Sequence, residues 1–119
     1  MQIFLRLLIV AWLAIGSAFG FSFGNDPAVD TIYAENLPAE VRQTLAQIKD
    51  GGPFPYERDG IVFGNFEKRL PLQRRGYYRE YTVKAPWRRD RGPRRIIIGQ
   101  HDEYYYTDDH YRTFRQIAE

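Results

Sequence analysis

A single carboxylate with arginines nearby is the feature of this sequence best suited to chemistry. Side chains alternate between the two faces of a strand, so in the predicted strand Gly76–Val83 the carboxylate of Glu80 lies on one face between polar neighbours. The same alternation separates Arg94 from Arg95 in the predicted strand Arg94–Ile98. If the two strands pair, one arginine shares a face with Glu80 and keeps it ionised, as a general base must be. A structural cross-strand ion pair between Glu80 and Arg95 fits the same spacing.

His110 is the second candidate for chemistry. It follows Thr107, Asp108 and Asp109, a combination typical of a tight turn. A histidine at a loop tip can exchange protons with a substrate near neutral pH. A surface turn residue with no chemical role is the alternative interpretation.

Several other chemistries have little or no support in the sequence. There is no cysteine, which excludes thiolate catalysis and disulfides. A zinc site formed by His101, Asp102 and His110 has weak support, because no spacing motif of metal ligands accompanies these residues. The sequence also lacks a glycine-rich phosphate loop and a serine nucleophile motif. We therefore predict no metal and no cofactor.

The elements that must position these residues are one helix followed by a sheet. Val41, Leu45 and Ile48 recur at helical spacing, Pro38 suits the first turn, and two glycines at 51 and 52 end the pattern. Short runs rich in Tyr, Val, Ile and Phe then predict strands at 61–63, 76–83, 94–98, 104–106 and 113–117. The predicted fold class is α+β, with an N-terminal helix packed on a twisted antiparallel sheet.

The first twenty residues have the layout of a secretory signal peptide. Arg6 precedes the apolar run 7–15, and small residues follow up to Gly20. The run is shorter than the roughly 20 residues that span a membrane, so we predict cleavage near Gly20 and an extracellular protein, with a retained N-terminal anchor as the alternative. Residues 21–34 show little periodicity and are interpreted as an extended arm, which leaves residues 35–119 as the folded domain.

Basic charge is concentrated in one part of the chain. The net charge is only +2, yet residues 68–95 contain eleven Lys or Arg and two acidic residues. The segments 25–50 and 96–119 each carry a net charge of −3. This asymmetry indicates a polyanionic partner, although a solvated basic face gives the same count.

Long segments of the chain are similar to a known family. The sequence resembles the guanyl-specific microbial ribonucleases, the barnase-like and streptomycete-type enzymes, over nearly all of the chain after the predicted signal. The matching segments occur in the family's order: DGGPFPY at 50–56, DGIVFGNFE at 59–67, LP at 70–71, GYYREYTV at 76–83, RGPRRIIIG at 91–99 and YYTDDHYRTF at 105–114. The resemblance implies the microbial ribonuclease fold.

The resemblance also implies roles for the candidate residues. Glu80 matches the base that takes the proton of the ribose 2′-OH, and His110 matches the acid that protonates the departing 5′-oxygen. Arg91 and Arg95 match the arginines that hold the scissile phosphate. Tyr78 is assigned to the phosphate side of the same site. In the family, the 2′,3′-cyclic phosphate formed first is then hydrolysed to a 3′-phosphate.

The implied base-recognition loop runs from Phe63 to Glu67 and contains Asn65 and Phe66. By the resemblance, main-chain N–H groups of this loop meet guanine O6 and the Glu67 carboxylate accepts from guanine N1 and N2, while Phe63 and Tyr111 provide aromatic surfaces. The loop departs from the family's pattern in two places. Position 66 is Phe where relatives commonly have a polar residue, and position 64 is Gly, which predicts a looser loop or a different approach of the loop to the base. Either difference predicts a weaker guanine preference.

The predicted function is therefore a secreted endoribonuclease that cleaves single-stranded RNA after guanine. A catalytically silent basic module that binds RNA or protein is the alternative. The resemblance makes an acidic, barstar-like inhibitor protein a candidate partner, because a basic cleft attracts an acidic surface. We expect a monomer with no stable membrane association once the signal is cleaved, and either a toxin or a nutritional role fits the sequence.

Overall fold

The computed structural model describes residues 29–119, which form one helix and six strands. The helix α1 spans Ala39–Asp50, after a single 3-10 turn at Ala34–Asn36. The strands are β1 (Asp30–Tyr33), β2 (Ile61–Phe63), β3 (Tyr78–Thr82), β4 (Arg95–Ile98), β5 (Tyr104–Thr107) and β6 (Arg115–Ala118). The predicted signal peptide, residues 1–20, lies outside the described residues. The predicted α+β class, a helix on a mostly antiparallel sheet, is confirmed.

Helix α1 begins directly after Pro38 and ends directly before Gly51, as its sequence predicts. Gly51 has the left-handed φ of +85°, which glycine adopts without a Cβ clash. The N–H of Gly51 donates to the carbonyl of Ile48, and the N–H of Gly52 donates to that of Gln47. This pair of bonds is the Schellman arrangement that satisfies the last carbonyls of a helix.

The six strands form one sheet in the order β1-β6-β5-β4-β3-β2. Every neighbouring pair is antiparallel except β1 and β6, which run parallel with Ile32 opposite Ile117. Strands β2 to β6 lie within two residues of their predicted bounds. Strand β1 is the exception, because its residues were assigned to the extended arm. They are extended, but they form an edge strand whose partner is more than 80 positions away in the sequence.

The two faces of the sheet carry two separate cores. The apolar face of α1 packs on one face, against a cluster that includes Val83, Ile96, Tyr106 and Ile117. The opposite face carries a second cluster: Leu70, Tyr77, Tyr78, Ile97, Tyr105 and Phe114. Glu80 lies opposite Ile97 in the β3–β4 register and therefore projects from the face away from the helix. No helix among residues 29–119 is long and apolar enough to cross a membrane.

Candidate active site

Glu80 is a buried carboxylate in the interior of the sheet. It pairs with Ile61 on β2 and with Ile97 on β4, and only 7% of its surface is exposed. Its Oε1 accepts a hydrogen bond of 2.9 Å from the Tyr111 phenol and lies 3.7 Å from Nη2 of Arg91. A carboxylate removed from water needs such partners, and both of these stabilise a negative charge.

The two predicted phosphate-binding arginines lie beside Glu80 but are held differently. Arg95 pairs across the sheet with Thr82 and is 2% exposed, and its Nη1 donates to the carbonyl of Gly92 over 2.7 Å. Arg91 donates from both Nε and Nη2 to the hydroxyl of Thr82, at 3.0 and 2.8 Å. These bonds fix both guanidinium groups before any ligand binds, which is the preorganisation that electrostatic stabilisation requires.

The predicted sharing of a face by Glu80 and Arg95 is confirmed, whereas the simple ion pair between them is not formed. Among the described residues, the ion pair of Glu80 is with Arg91. Arg95 Nε instead donates to the oxygen of Tyr111 over 3.2 Å, and that phenol donates to Glu80. The phenol therefore lies between the carboxylate and Arg95.

His110 lies in the turn between β5 and β6, beside the same phenol. His110 and Tyr111 both have left-handed backbones, with φ of +57° and +73°. The N–H of His110 donates to the carbonyl of Pro93 over 3.0 Å, which ties the turn to the loop that carries Arg91. The exposed imidazole packs at 4.7 Å from the Tyr111 ring. Glu80 and His110 thus both contact Tyr111, the carboxylate at its hydroxyl and the imidazole beside its ring.

Asp109 holds this turn, a role that the sequence analysis missed. Its carboxylate accepts from the amides of Arg112 and Thr113 and from the hydroxyls of Thr113 and Thr107. Burial alone would raise the pKa of Asp109, but these hydrogen bonds outweigh it and lower the pKa below its usual value. Two consecutive left-handed residues other than glycine are costly, and such a network compensates for that strain. In the sequence, only the position of Asp109 within a turn pattern indicated that it could hold the turn.

Tyr111 forms an aromatic wall with Phe63, as expected for a base-binding surface. The two rings stack with centroids 5.2 Å apart, in direct contact, so a base can lie against this wall but not between the rings. Burial raises the pKa of the Tyr111 phenol, and the charge of Glu80 raises it further. The phenol therefore keeps its proton at neutral pH and remains a donor to Glu80.

A cleft of about 300 Å³ opens along this wall. It is lined by β2, the predicted recognition loop, Glu80 and Tyr111, so the predicted base-binding and catalytic residues border one cavity. Glu67 borders it with a side chain 70% exposed, at 3.0 Å from the guanidinium of Arg69. Exposed pairs of this kind contribute little free energy, so the Glu67 carboxylate is available to a ligand.

Asn65 shapes the recognition loop instead of offering its side chain to a base. Its amide nitrogen donates to the carbonyl of Leu70 over 3.0 Å, and its oxygen accepts from the Leu70 amide over 3.1 Å. Asn65 has a φ of +52°, a conformation that asparagine tolerates better than most residues. The paired bonds to the fully buried Leu70 hold the loop in a fixed curve.

The placement of Tyr78 at the phosphate is wrong. Tyr78 is 2% exposed, and its hydroxyl donates to the carbonyl of Pro71 over 2.7 Å. Its ring packs edge-on against Tyr77 and Tyr105 in the second core. It shares a face with Glu80, as predicted, but the second core covers that end of the face.

The residues considered for zinc do not form a metal site in the described part of the chain. His101 Nδ1 lies 3.0 Å from the hydroxyl of Tyr77, which in turn donates to Glu103. No group of three or more His, Cys, Asp or Glu side chains with metal-binding geometry occurs within residues 29–119.

The arrangement as a whole is suited to acid–base chemistry on an anion. A carboxylate and an imidazole contact the same tyrosine, and two fixed guanidinium groups lie near the carboxylate. Such a site can take a proton from a bound substrate, return a proton to it and offset the charge of an anion.

Comparisons with known proteins support one relationship. The profile of a family described as ribonuclease matches residues 24–118. Guanyl-specific ribonuclease Sa of Kitasatospora aureofaciens is 53% identical over 88 residues, which cover 73% of this chain and 92% of that protein. Guanyl-specific ribonuclease St of Saccharopolyspora erythraea is 47% identical over 92 residues, or 77% and 91% of the two chains. A crystal structure of ribonuclease Sa2 with guanosine-2′-cyclophosphate superposes with a TM-score of 0.74 at 46% identity, covering 76% of this chain and 97% of that one.

Proposed function

The chain belongs to the family of guanyl-specific microbial ribonucleases, and from that premise we propose that Glu80 and His110 are the base and the acid with which it cleaves RNA. The protein is a guanine-specific endoribonuclease that acts through a 2′,3′-cyclic phosphate. The observation that carries the proposal is the contact of Glu80 with both Arg91 and Tyr111, next to His110.

In the first step, the 2′-OH of guanosine attacks the adjacent phosphorus atom. Glu80 takes the hydroxyl proton, the new bond closes the cyclic phosphate, and the bond to the 5′-oxygen breaks. His110 gives its proton to that oxygen, which leaves as a 5′-hydroxyl. Arg91 and Arg95 offset the charge that develops on the phosphoryl oxygens.

In the second step the two residues exchange roles. His110 takes a proton from water, whose oxygen attacks the cyclic phosphate, and Glu80 returns a proton to the 2′-oxygen. The product is a 3′-phosphate. Each residue ends the cycle in its starting protonation state, so no further proton donor is required.

Guanine selection is assigned to the recognition loop and the aromatic wall. Main-chain N–H groups of residues 63–67 meet O6, and the Glu67 carboxylate accepts from N1 and N2. Adenine offers no such pair of donors at these positions. The base lies against the wall formed by Phe63 and Tyr111. Asn65 contributes by holding the loop, through its bonds to Leu70.

Secretion and partners complete the proposal. The predicted signal peptide would export the enzyme to act on single-stranded RNA outside the cell, as a monomer. The cluster of Lys and Arg in residues 68–95 would attract RNA and, equally, an acidic inhibitor protein.

The experiment is cleavage of GpU and ApU by the purified mature chain in EDTA, with detection of a 2′,3′-cyclic phosphate. We expect cleavage of GpU through that intermediate and little cleavage of ApU. Glu80→Gln and His110→Ala should each lower kcat/KM by about 10²- to 10⁴-fold while the circular dichroism spectrum is retained. Arg42→Gln, an exposed change on helix α1, is the matched control. Full activity in either site variant would overturn the assignment, and RNA binding without cleavage would favour the silent binding module.

A further inference from the structure

Gly64 and Phe66, the two departures of the recognition loop from the family's pattern, are packed against one another. The far edge of the Phe66 ring occupies the space beside Gly64: a Cβ added to that glycine would lie 2.5 Å from Cζ of the ring. Non-bonded carbon atoms do not approach that closely, so any larger residue at position 64 would displace the Phe66 ring. Gly64 therefore permits the observed position of Phe66.

The ring held in this way is open to solvent. Phe66 is 81% exposed, the most exposed of the large hydrophobic residues in the described chain. The ring atoms nearest Gly64 are Cζ, Cε2 and Cε1, at the outer end of the ring. The Arg75 guanidinium lies over the ring, 5.9 Å from its centroid. An exposed aromatic ring beside a cation is the combination that binds a base by stacking and its phosphate by charge.

The residues that border two neighbouring depressions suggest which base reaches the ring. Phe66 lines the same cleft as Glu67, Tyr111 and Glu80. His110 borders a separate depression with Arg88 and Arg91. If His110 protonates the departing 5′-oxygen, the downstream nucleotide leaves on the His110 side. The guanosine therefore lies in the cleft that Phe66 borders. The nucleotide before it is joined to the guanosine 5′-oxygen, and Phe66 is the most exposed ring that borders this cleft.

We propose that Phe66, seated on Gly64, is a stacking site for the base immediately 5′ to guanine, with Arg75 placed to meet the phosphate that links the two nucleotides. This inference rests on the proposed function, which sets the direction of the RNA in the cleft. It gives the enzyme a preference for guanine inside a chain over guanine at a 5′ end. Stacking is tolerant of base identity, so the preference extends to any preceding base.

The test compares kcat/KM for ApGpU and GpU, two substrates cleaved after the same guanine. Wild type should favour ApGpU, and Phe66→Ala should lower the ApGpU-to-GpU ratio about tenfold. Phe66→Trp should keep the ratio, because indole also stacks. Gly64→Ala should act like Phe66→Ala by displacing the ring. Tyr33→Ala removes an exposed aromatic ring at the opposite edge of the sheet and is the control.

A second measurement separates this inference from the proposed chemistry. Replacing guanosine by 2′-deoxyguanosine removes the attacking hydroxyl, so Kd for the trinucleotide and dinucleotide can be compared without cleavage. Phe66→Ala should weaken binding of the trinucleotide more than binding of the dinucleotide. An ApGpU-to-GpU ratio of kcat/KM that is unchanged in Phe66→Ala would overturn the assignment. An equal loss of affinity for the trinucleotide and the dinucleotide would also overturn it, because the ring would then contact guanine alone. Failure of wild type to cleave GpU would instead refute the proposed function.

Discussion

The phenol of Tyr111 links Glu80 to Arg95: its oxygen donates to Glu80 Oε1 over 2.9 Å and accepts from Arg95 Nε over 3.2 Å. One hydroxyl thus orients the proposed base and one of the proposed phosphate ligands. Because Tyr111 also stacks on Phe63, the same residue connects base recognition to the reacting groups. In the proposed complex, a guanine against this wall would lie in the same cleft as Glu80, the proposed base.

Removing only the Tyr111 hydroxyl tests this link. Tyr111→Phe keeps the ring on Phe63 but takes a donor from a buried carboxylate, which should lower kcat/KM for GpU by about tenfold or more. The thermal unfolding midpoint and steady-state kinetics are measured together. Tyr33→Phe, at the far edge of the sheet, is the matched control. Unchanged kinetics in Tyr111→Phe would show that the phenol does not support the reaction.

Asp109 should make stability depend on acid pH. Hydrogen bonds to its carboxylate outweigh its burial and lower its pKa in the folded state. Its contribution is therefore present above the unfolded value of about 4 and is lost as pH falls through the lowered folded value. Asp109→Asn should be less stable at neutral pH and should lose stability less steeply in acid.

Denaturant unfolding between about pH 2 and pH 7 measures this effect. Asp108→Asn is the control, because that neighbouring side chain is exposed and pairs only loosely with Arg115, at 3.8 Å. GpU cleavage should also fall in Asp109→Asn, since His110 and Tyr111 depend on the turn. An acid dependence as steep as that of wild type would refute the role of Asp109.

Glu67 should determine selectivity more than rate. Glu67→Gln replaces a charged acceptor with an amide and should lower the GpU-to-ApU ratio of kcat/KM by about ten- to a hundredfold. The ratio is taken from competition between the two dinucleotides. Glu57→Gln, an exposed acidic residue outside the cleft lining, provides the comparison. A ratio equal to that of wild type would assign guanine selection to the main chain of the loop alone.

Buried tyrosines should make the fold sensitive to alkali. Burial raises the pKa of Tyr106 in the first core and of Tyr111 in the site. A raised folded pKa favours the protonated form, so stability is constant below the unfolded value of about 10 and falls as pH rises above it. Tyr106→Phe should flatten this decline in unfolding midpoints measured from pH 8 to pH 11. An equally steep decline in the variant would exclude Tyr106 as a cause.

Local patterns in the sequence determined most of the elements and the direction of the key side chain. The helical spacing of Val41, Leu45 and Ile48 predicts α1, and glycine at 51 predicts its end. Alternation in β3 and β4 correctly places Glu80 and Arg95 on one face. These features follow from backbone periods of 3.6 and 2, which act over a few residues and can be read without knowledge of the fold.

The tertiary structure alone decided which groups meet. Strand β1 was missed because its pairing with β6 joins distant segments. Tyr78 was misplaced because the resemblance assigned it by position, whereas the second core covers its end of the face. The bond of Tyr111 to Glu80 and the seat of Phe66 on Gly64 depend on turns with unusual backbone angles and on close packing. Such contacts arise from the burial of particular atoms against one another, and no local period of the sequence encodes them.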